Sequence, residues 1–213
     1  VRVGVVETLQ LTLSNTGSDT LFVDSIYVSD SLSGFSVALG EMNTSRSLID
    51  RMALSTEVMP GESIGLDVSF MREDTLTVAN ELRITSDDPL GNDVVSIGLS
   101  GRSVAPVLVL AADTLDFGHI LSESQLSVMV SNDGTDTLNV SAISFPTGFT
   151  GSMADSVLAP GEGAELMVSF APEDNGYWTG DVLLTSDSYQ QSEHSVALSA
   201  LSMNALLVHD FGG

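Results

Sequence analysis

The sequence contains two copies of one strand-rich unit, and this repetition limits the folds that it can adopt. Residues 9–28 and 126–145 match without a gap at nine of twenty positions. The block from 60 to 86, with its Pro-Gly-Glu and Val-Ser-Phe motifs, recurs from 160 to 186. A repeat of about a hundred residues predicts tandem domains, each large enough to close its own apolar core.

The repeats also predict the domain boundaries. We expect a first domain at residues 1–103 with an insertion at about 29–58, and a second domain at 104–202. Residues 203–213 are then either the first strand of a further repeat or an exchanged strand.

Apolar and polar residues alternate along both copies, which is the period of a half-buried β-strand. The alternation is clearest at Leu9, Leu11 and Leu13 and at their counterparts Leu126, Val128 and Val130. Asn-x-Gly clusters at 15–17 and 132–134 and Pro-Gly pairs at 60 and 160 supply turn residues between the strands. The pattern predicts an all-β fold of tandem immunoglobulin-like antiparallel β-sandwiches, with about seven strands each.

Several motifs of the second copy stand in an order that resembles a known family. They are Leu-Asp-Phe-Gly at 115–118, Ser-Asn-Asp-Gly-Thr-Asp-Thr-Leu at 131–138, Leu-Ala-Pro-Gly-Glu at 158–162, Val-Ser-Phe-Ala-Pro at 168–172 and Leu-Thr-Ser-Asp at 184–187. The chain thereby resembles the ASPM/SPD-2/Hydin group of immunoglobulin-like domains, related in fold to major sperm protein and the PapD-like proteins. For bacterial members, the resemblance implies tandem modules of large secreted or surface-anchored proteins.

The repeats and the resemblance together favour a mechanical role. We predict a non-catalytic structural module of a large extracellular or bacterial cell-surface protein, such as a stalk, fibre, filament or surface-layer element. The alternative is an adhesion or recognition module that binds a glycan or a protein through the insertion or a sheet edge. The predicted partners are neighbouring repeats of the same chain or identical subunits, joined by strand addition.

The charge excludes other classes of partner. The chain has 29 acidic residues, six arginines and no lysine, for a formal net charge of -23. Such a molecule repels nucleic acid and anionic lipid, and the charge surplus suits an extracellular medium. No apolar stretch approaches the length of about twenty residues that a membrane helix needs, so we expect no direct membrane insertion. The absence of cysteine excludes disulfides and thiolate metal sites.

The few motifs that resemble those of enzymes lack the accompanying structural context and residue spacing that catalysis requires. Residues 61–65 read Gly-Glu-Ser-Ile-Gly, but they follow a turn and open a strand, whereas a nucleophile elbow needs a strand-to-helix turn. His119, His194 and His209 show no paired spacing typical of catalysis or zinc binding. We therefore predict no catalytic residue and no enzymatic activity.

One turn of the first copy carries several oxygen ligands. Its candidate calcium ligands are Asp87, Asp88, Asn92 and Asp93. Calcium prefers hard oxygen ligands in a loop, but the spacing of an EF-hand is missing here. We predict no cofactor, with calcium at this turn as the alternative.

The first copy is longer than the second in one place. Thirty residues separate Val28 from Met59, whereas thirteen separate Phe145 from Ala159. An insertion on a rigid scaffold often carries recognition, although a loop that only covers a sheet edge is the alternative. The interaction candidates are Arg46, Arg51 and Met52 in the insertion and the aromatic pair Tyr177 and Trp178 in the second copy.

The triplet Asp-Phe-Gly at 116–118 returns at 210–212, whereas the first copy begins just after its expected triplet. Two explanations remain open. The sequence is a piece of a continuous array, or the tail of one chain supplies the missing first strand of the next. The strand-exchange candidates are Leu206, Leu207, Val208 and Phe211.

Overall fold

A computed structural model describes residues 1–40, 55–91 and 93–203 of the 213-residue chain. The chain divides into two compact units, unit 1 (Val1–Val104) and unit 2 (Ala105–Gly213). Every regular element in the described ranges is a β-strand, which confirms the predicted all-β class. Within the same ranges there is no apolar helix of membrane-spanning length.

The described part of unit 1 contains seven strands in two sheets. The strands are β1 (Glu7–Ser14), β2 (Leu21–Val28), β3 (Phe35–Leu39), β4 (Thr56–Val58), β5 (Ser63–Phe70), β6 (Thr77–Ser86) and β7 (Val94–Arg102). One antiparallel sheet has the order β1-β5-β3 and the other has the order β4-β2-β6-β7. The buried side chains of Ile26, Leu66 and Leu82 come from both sheets, so the core lies between the two sheets of a sandwich.

The described part of unit 2 contains nine strands. They are β8 (Leu108–Leu110), β9 (Thr114–Ile120), β10 (Ser124–Asn132), β11 (Leu138–Ser144), β12 (Phe149–Met153), β13 (Val157–Leu158), β14 (Gly163–Phe170), β15 (Gly176–Ser186) and β16 (Glu193–Ser202). Its sheets have the orders β12-β14-β10-β8 and β13-β11-β15-β16-β9. Strands β10 to β16 repeat β1 to β7 in order and pairing, whereas β8 and β9 precede the repeated set.

A cluster of aromatic rings fills one end of the unit 2 core. Phe170 is fully buried, and its ring centroid lies 4.7 Å from that of Phe149 and 5.9 Å from that of Trp178. In unit 1 the corresponding pair is Phe35 and Phe70, with centroids 4.6 Å apart. The register supports this correspondence, because Phe149 faces Phe170 and Phe35 faces Phe70 across their strands.

A buried asparagine anchors the first hairpin turn of each unit. The side-chain amide of Asn15 donates to the carbonyl oxygens of Asp19 at 2.7 Å and Val58 at 2.8 Å. Its Oδ1 accepts the backbone N–H of Gly17 at 2.9 Å. Asn132 makes the equivalent bonds with Asp136, Leu158 and Gly134. The Asn-x-Gly clusters are therefore turns, as the sequence predicted, and the asparagine ties each turn to the strand before the Pro-Gly pair.

The insertion of the first copy falls mainly between β3 and β4. Residues 40–55 join these two strands, whereas only residues 154–156 join β12 to β13. Residues 41–54 lie outside the described ranges.

Candidate functional site: an open strand position in unit 1

In unit 2, β9 lies beside β16 as a parallel strand. The paired positions are Thr114 with Ala197, Leu115 with Leu198, Asp116 with Ser199, His119 with Leu201 and Ile120 with Ser202. Strand β8 pairs instead with β10 of the other sheet. Residues 108–120 therefore join both sheets and close one side of the sandwich.

The Asp-Phe-Gly triplet gives β9 three separate contacts. The Oδ1 of Asp116 accepts the backbone N–H of Gly118 at 2.9 Å and the hydroxyl of Ser199 at 2.8 Å, and these donors lower the pKa of Asp116. The ring of Phe117 is buried, 5.9 Å from that of Phe170. Gly118 has a φ of 66°, a left-handed conformation that favours glycine.

In unit 1, β7 takes the place of β16. Their pairing with the preceding strand matches, because Val94 faces Thr85 and Glu193 faces Thr185, so that Ser100 corresponds to Ser199. Among the described residues no strand pairs with the other side of β7, which is the end of its sheet. We call this side of β7, from Gly98 to Gly101, the open edge.

The first residues of the chain mark where the open edge ends. The backbone N–H of Val104 donates to the carbonyl oxygen of Val1 at 2.8 Å, and Arg2 forms a parallel bridge with Val104. In unit 2 the N–H of Met203 donates in the same way to Ile120 at 3.0 Å. Val1 thus occupies the position of Ile120.

The open edge leaves apolar side chains of unit 1 less covered than their counterparts. Val196 and Leu198 on β16 are 0% and 3% exposed, whereas the equivalent Ile97 and Leu99 are only half-buried. Leu9 on β1 is 69% exposed. Within the described part of unit 1, β7 is an edge strand with unpaired backbone N–H and C=O groups on one side.

The charge near the open edge differs from that of the whole chain. Arg102 ends β7 and Arg2 pairs with Val104, and both side chains are exposed. The chain has six arginines against 29 acidic residues.

The candidate calcium ligands are used in backbone hydrogen bonds. The Oδ1 of Asp87 accepts the N–H of Phe22 at 2.8 Å, and that of Asp88 accepts the N–H of Leu90 at 2.9 Å. The carbonyl oxygen of Asp93 accepts the N–H of Ser86 at 2.9 Å, and Asn92 lies outside the described ranges. Within those ranges no group of three or more His, Cys, Asp or Glu side chains is placed to hold a metal ion. Calcium at this turn stays a prediction.

The two aromatic interaction candidates differ in exposure. Tyr177 is 72% exposed, whereas Trp178 packs edge-on against Phe170. The indole N–H of Trp178 donates to the hydroxyl of Ser202 at 3.2 Å. Tyr177 therefore offers the more accessible ring, and a role of this pair in recognition stays a prediction.

The serine of the Gly-Glu-Ser-Ile-Gly motif has a structural partner. Ser63 begins β5, and its hydroxyl lies 2.7 Å from that of Ser14 on the neighbouring β1. The motif therefore lacks the strand-to-helix geometry of a nucleophile elbow. His194 lies in unit 2, with its Nε2 3.2 Å from the carbonyl oxygen of Gln191.

A concave surface lies beside β4 in unit 1. It has a volume of about 490 Å³ and is lined by Phe22, Val23, Asp24, Ser55, Thr56 and Glu57. Phe22 is 47% exposed. This surface adjoins the point where the described chain resumes after the insertion.

The remaining predicted residues lie outside the described ranges. They are Arg46, Arg51 and Met52 of the insertion and Leu206, Leu207, Val208 and Phe211 of the tail. The sequence did not single out the residues of the open edge, Gly98 to Gly101.

One family model matches the second unit of the chain. Residues 106–200 match the HYDIN/CFA65/VesB-like, Ig-like domain family, which confirms the predicted resemblance. A Porphyromonas gingivalis W83 protein of unknown function is similar in structure at 15% identity, with 94% of this chain and 93% of that chain covered and a TM-score of 0.43.

Two further solved structures are similar. The ASH/PapD-like domain 7 of human CEP192 has 14% identity over 48% of this chain and 89% of that chain, with a TM-score of 0.38. The VesB protease of Vibrio cholerae has 12% identity over 89% of this chain and 63% of that chain, with a TM-score of 0.39. None of the curated protein sequences compared matches the chain. These structural likenesses concern the fold alone.

Proposed function

Because residues 106–200 form a HYDIN/CFA65/VesB-like Ig-like domain, we propose that this chain is a non-catalytic structural module of an extracellular or cell-surface repeat protein. Ig-like sandwiches serve in many proteins as rigid spacers and binding modules, so the fold is compatible with a structural role. The specific assignment rests on what the polar residues of the two units do.

The observation that carries the proposal is the use of the same polar residues in both units. Asn15 and Asn132 bond to backbone groups of their hairpin turns. Asp87 and Asp187 accept backbone N–H groups of β2 and β11, at 2.8 Å and 2.7 Å. These recurring side chains hold turns and strand ends in place, which supports an architectural role for the repeat.

The charge supports the extracellular placement. A net charge of -23 keeps copies of the chain dispersed and opposes binding to nucleic acid or anionic lipid. At the ionic strength of a physiological or saline medium, screening limits this repulsion to about 10 Å or less.

The native polypeptide provides the test. We expect its intact mass to be several times the 22.3 kDa of the sequence, and its peptides to be released when intact cells are treated with protease. A protease that cleaves beside acidic residues suits the experiment, because the chain offers 29 such sites and only six arginines. A known cytoplasmic protein is the control for lysis. A product of about 22.3 kDa that is protected inside intact cells would contradict the proposal.

The concave surface beside β4 favours a second candidate function, recognition of a glycan or protein ligand. Phe22 supplies an exposed ring there, and Asp24 and Glu57 supply polar groups. We expect F22S to abolish any binding of the intact chain to a glycan array, while the matched change Y177S in unit 2 leaves it intact. Equal binding by the wild-type chain and F22S would exclude this surface.

A further inference from the structure

We propose that two copies of the chain associate face to face through the outer side of the β12-β14-β10-β8 sheet of unit 2, with each copy contributing the same surface. We call this surface the neutral face. Its central residues are Ser127 and Met129 on β10 and Glu165, Met167 and Ser169 on β14. The inference rests on the proposed structural function and names the partner as an identical chain.

The neutral face carries almost no charge. Exposed and buried residues alternate along β10 and β14, so that every second side chain points away from the core. Glu165 is the only charged residue that points outward from the four strands, and the others are serine, threonine, glutamine, glycine, methionine and valine. The outer face of the other sheet of unit 2 carries Asp116, Asp181 and Glu193.

Three apolar side chains form a row on the neutral face. Val109, Met129 and Met167 are 38%, 43% and 36% exposed. The strand register places each of them diagonally beside the next across β8, β10 and β14, within reach of long side chains. The flexible thioethers of the two methionines adapt readily to an apolar partner surface. The row therefore provides the apolar contact that an interface between two copies needs.

The polar part of the neutral face can form hydrogen bonds with a copy of itself. A hydroxyl both donates and accepts, so exposed residues such as Ser127 and Ser152 can bond to serines of an identical face. A carboxylate only accepts, and two faces that both carry carboxylates repel each other. In a chain of net charge -23, the neutral face is therefore the outer sheet face of unit 2 that a second copy approaches against the smaller repulsion.

The equivalent face of unit 1 lacks both methionines. Thr12 and Asp67 occupy their positions in the strand register. The hydroxyls of Thr8 and Ser69 on that face already bond to each other at 2.8 Å. The apolar row is thus a feature of unit 2, and an identical unit 2 face is the partner that matches it.

The size of the neutral face sets the strength of the contact. Strands β8, β10, β12 and β14 have 3, 9, 5 and 8 residues, which cover about 400 Å² at a rise of about 3.4 Å and a strand spacing of about 4.8 Å. Two faces then bury about 800 Å², less than the about 1,200 Å² of a stable specific complex. We therefore expect weak, reversible dimers with a Kd of about 0.1–1 mM, which tandem copies within one polypeptide would strengthen by avidity.

A charge placed in the neutral face tests the inference. Sedimentation velocity of the chain up to about 1 mM should show dimers, and M167D should weaken them by about tenfold or more because it adds a carboxylate from each copy. Asp67 holds this position in unit 1, so the fold accommodates an aspartate there. The matched control L183D changes a 50% exposed leucine on the outer face of the opposite sheet and should leave the Kd within about twofold.

The opposite change should have the opposite effect. E165Q removes the single charge of the neutral face and keeps the shape of the side chain, so we expect it to tighten the dimer by about twofold or more. The fluorescence of Trp178 in urea verifies that each variant of unit 2 is folded before its association is compared.

Cross-linking tests which faces meet, since the chain contains no cysteine of its own. Packed sheets lie about 10 Å apart, so a bis-maleimide of that reach should join two copies of S127C. The control S195C places the same thiol on the outer face of the opposite sheet and should give at least about fivefold fewer dimers. A mixture of S127C with Q10C, the equivalent position in unit 1, should give fewer mixed dimers than S127C alone.

Four results would overturn the inference. They are a monomeric wild-type chain up to about 1 mM, equal association of M167D and the wild type, equal cross-linking of S127C and S195C, and mixed S127C and Q10C dimers in excess of S127C dimers. The last result would assign the partner surface to unit 1. None of these results changes the mass or the surface exposure of the native polypeptide, so failure here is distinct from failure of the proposed function.

Discussion

Unit 1 and unit 2 share seven strands in the same order, but only unit 2 has a strand beside the last of them in the described chain. In unit 2, Phe117 on β9 and Trp178 on β15 add two rings to the pair Phe149 and Phe170. In unit 1, Val78 takes the position of Trp178, and the position of Phe117 has no counterpart among the described residues.

The comparison separates two kinds of contact. Some form between residues within each repeat, and others, in unit 2, form with the segment of chain that precedes the repeated strands. Turns, strand pairing and the central core layer recur in both units because residues inside each repeat produce them. Closure of the β16 side in unit 2 depends on β9, a strand that comes earlier in the sequence than the repeated set.

Removing the ring that distinguishes unit 2 should have the largest effect. We expect F117A to lower the free energy of unfolding of unit 2 by about 3–5 kcal/mol, because it leaves a cavity beside Phe170. Urea denaturation followed by the fluorescence of Trp178, the single tryptophan, reports on unit 2 alone. The transition of unit 1, followed by circular dichroism, is the internal control. An unchanged midpoint for unit 2 would mean that β9 adds little to its core.

The buried asparagines allow the units to be compared at a shared position. N132A leaves the N–H groups of Gly134 and Val107 and two carbonyl oxygens without partners, so we expect a loss of about 2–4 kcal/mol. N15A loses the same set except the bond to Val107, which lies in unit 2 just before β8. We expect its cost to be smaller by about 1 kcal/mol. Urea denaturation of each variant measures the two losses in free energy of unfolding. Equal losses for N15A and N132A would show that the bond to Val107 adds no stability.

The glycines of the same turns differ in the space around them. A Cβ at Gly134 would collide with the backbone of Ala105 and Val107, whereas a Cβ at Gly17 meets only the Oδ1 of Asn15 at 3.2 Å. We expect G134A to cost about 1–3 kcal/mol and G17A less than about 1 kcal/mol. Thermal unfolding of the two variants provides the measurement. A larger loss for G17A would indicate that unit 1 also has a segment packed over this turn.

The smallest effect concerns acid stability. The bonds from Gly118 and Ser199 lower the pKa of Asp116 below its ordinary value of 3.8. Its carboxylate therefore stabilises unit 2 fully above the ordinary pKa, and this contribution is lost as the pH falls through the lowered pKa. We expect the stability difference between wild type and D116N to shrink from about pH 5 to about pH 2, by Trp178 fluorescence in urea. S199A should show part of the same change. A stability difference between wild type and D116N that stays constant from about pH 5 to about pH 2 would show that the hydrogen bonds of the Asp116 carboxylate do not stabilise unit 2.

The sequence predicted the features that depend on neighbouring residues. Alternation at Leu9 to Leu13 indicated a strand, and β1 runs from Glu7 to Ser14. The Asn-x-Gly clusters indicated hairpin turns, and Asn15 and Asn132 form such turns with Gly17 and Gly134. These features need only the local period of the side chains and the turn preferences of asparagine and glycine.

The features that the sequence did not predict depend on pairing between distant residues. About seven strands per unit were expected, and unit 2 has nine, because β8 and β9 precede its seven repeated strands and lie on different sheets. Neither the division nor the parallel register of Leu115 with Leu198 follows from local periodicity. The open edge of β7 is recognised only when the strand pairing of β7 is compared with that of β16. In sequence, residues Gly98 to Gly101 resemble an ordinary strand.

The parallel arrangement of β9 and β16 has a consequence for a chain held under tension. Because both strands run in the same direction, pulling the two ends of unit 2 apart drags β9 and β16 in opposite directions along their length. Once the short β8 has detached, the load falls on all the bonds between β9 and β16 together, in shear. Within the described part of unit 1, the corresponding connection is the single parallel bridge between Arg2 and Val104.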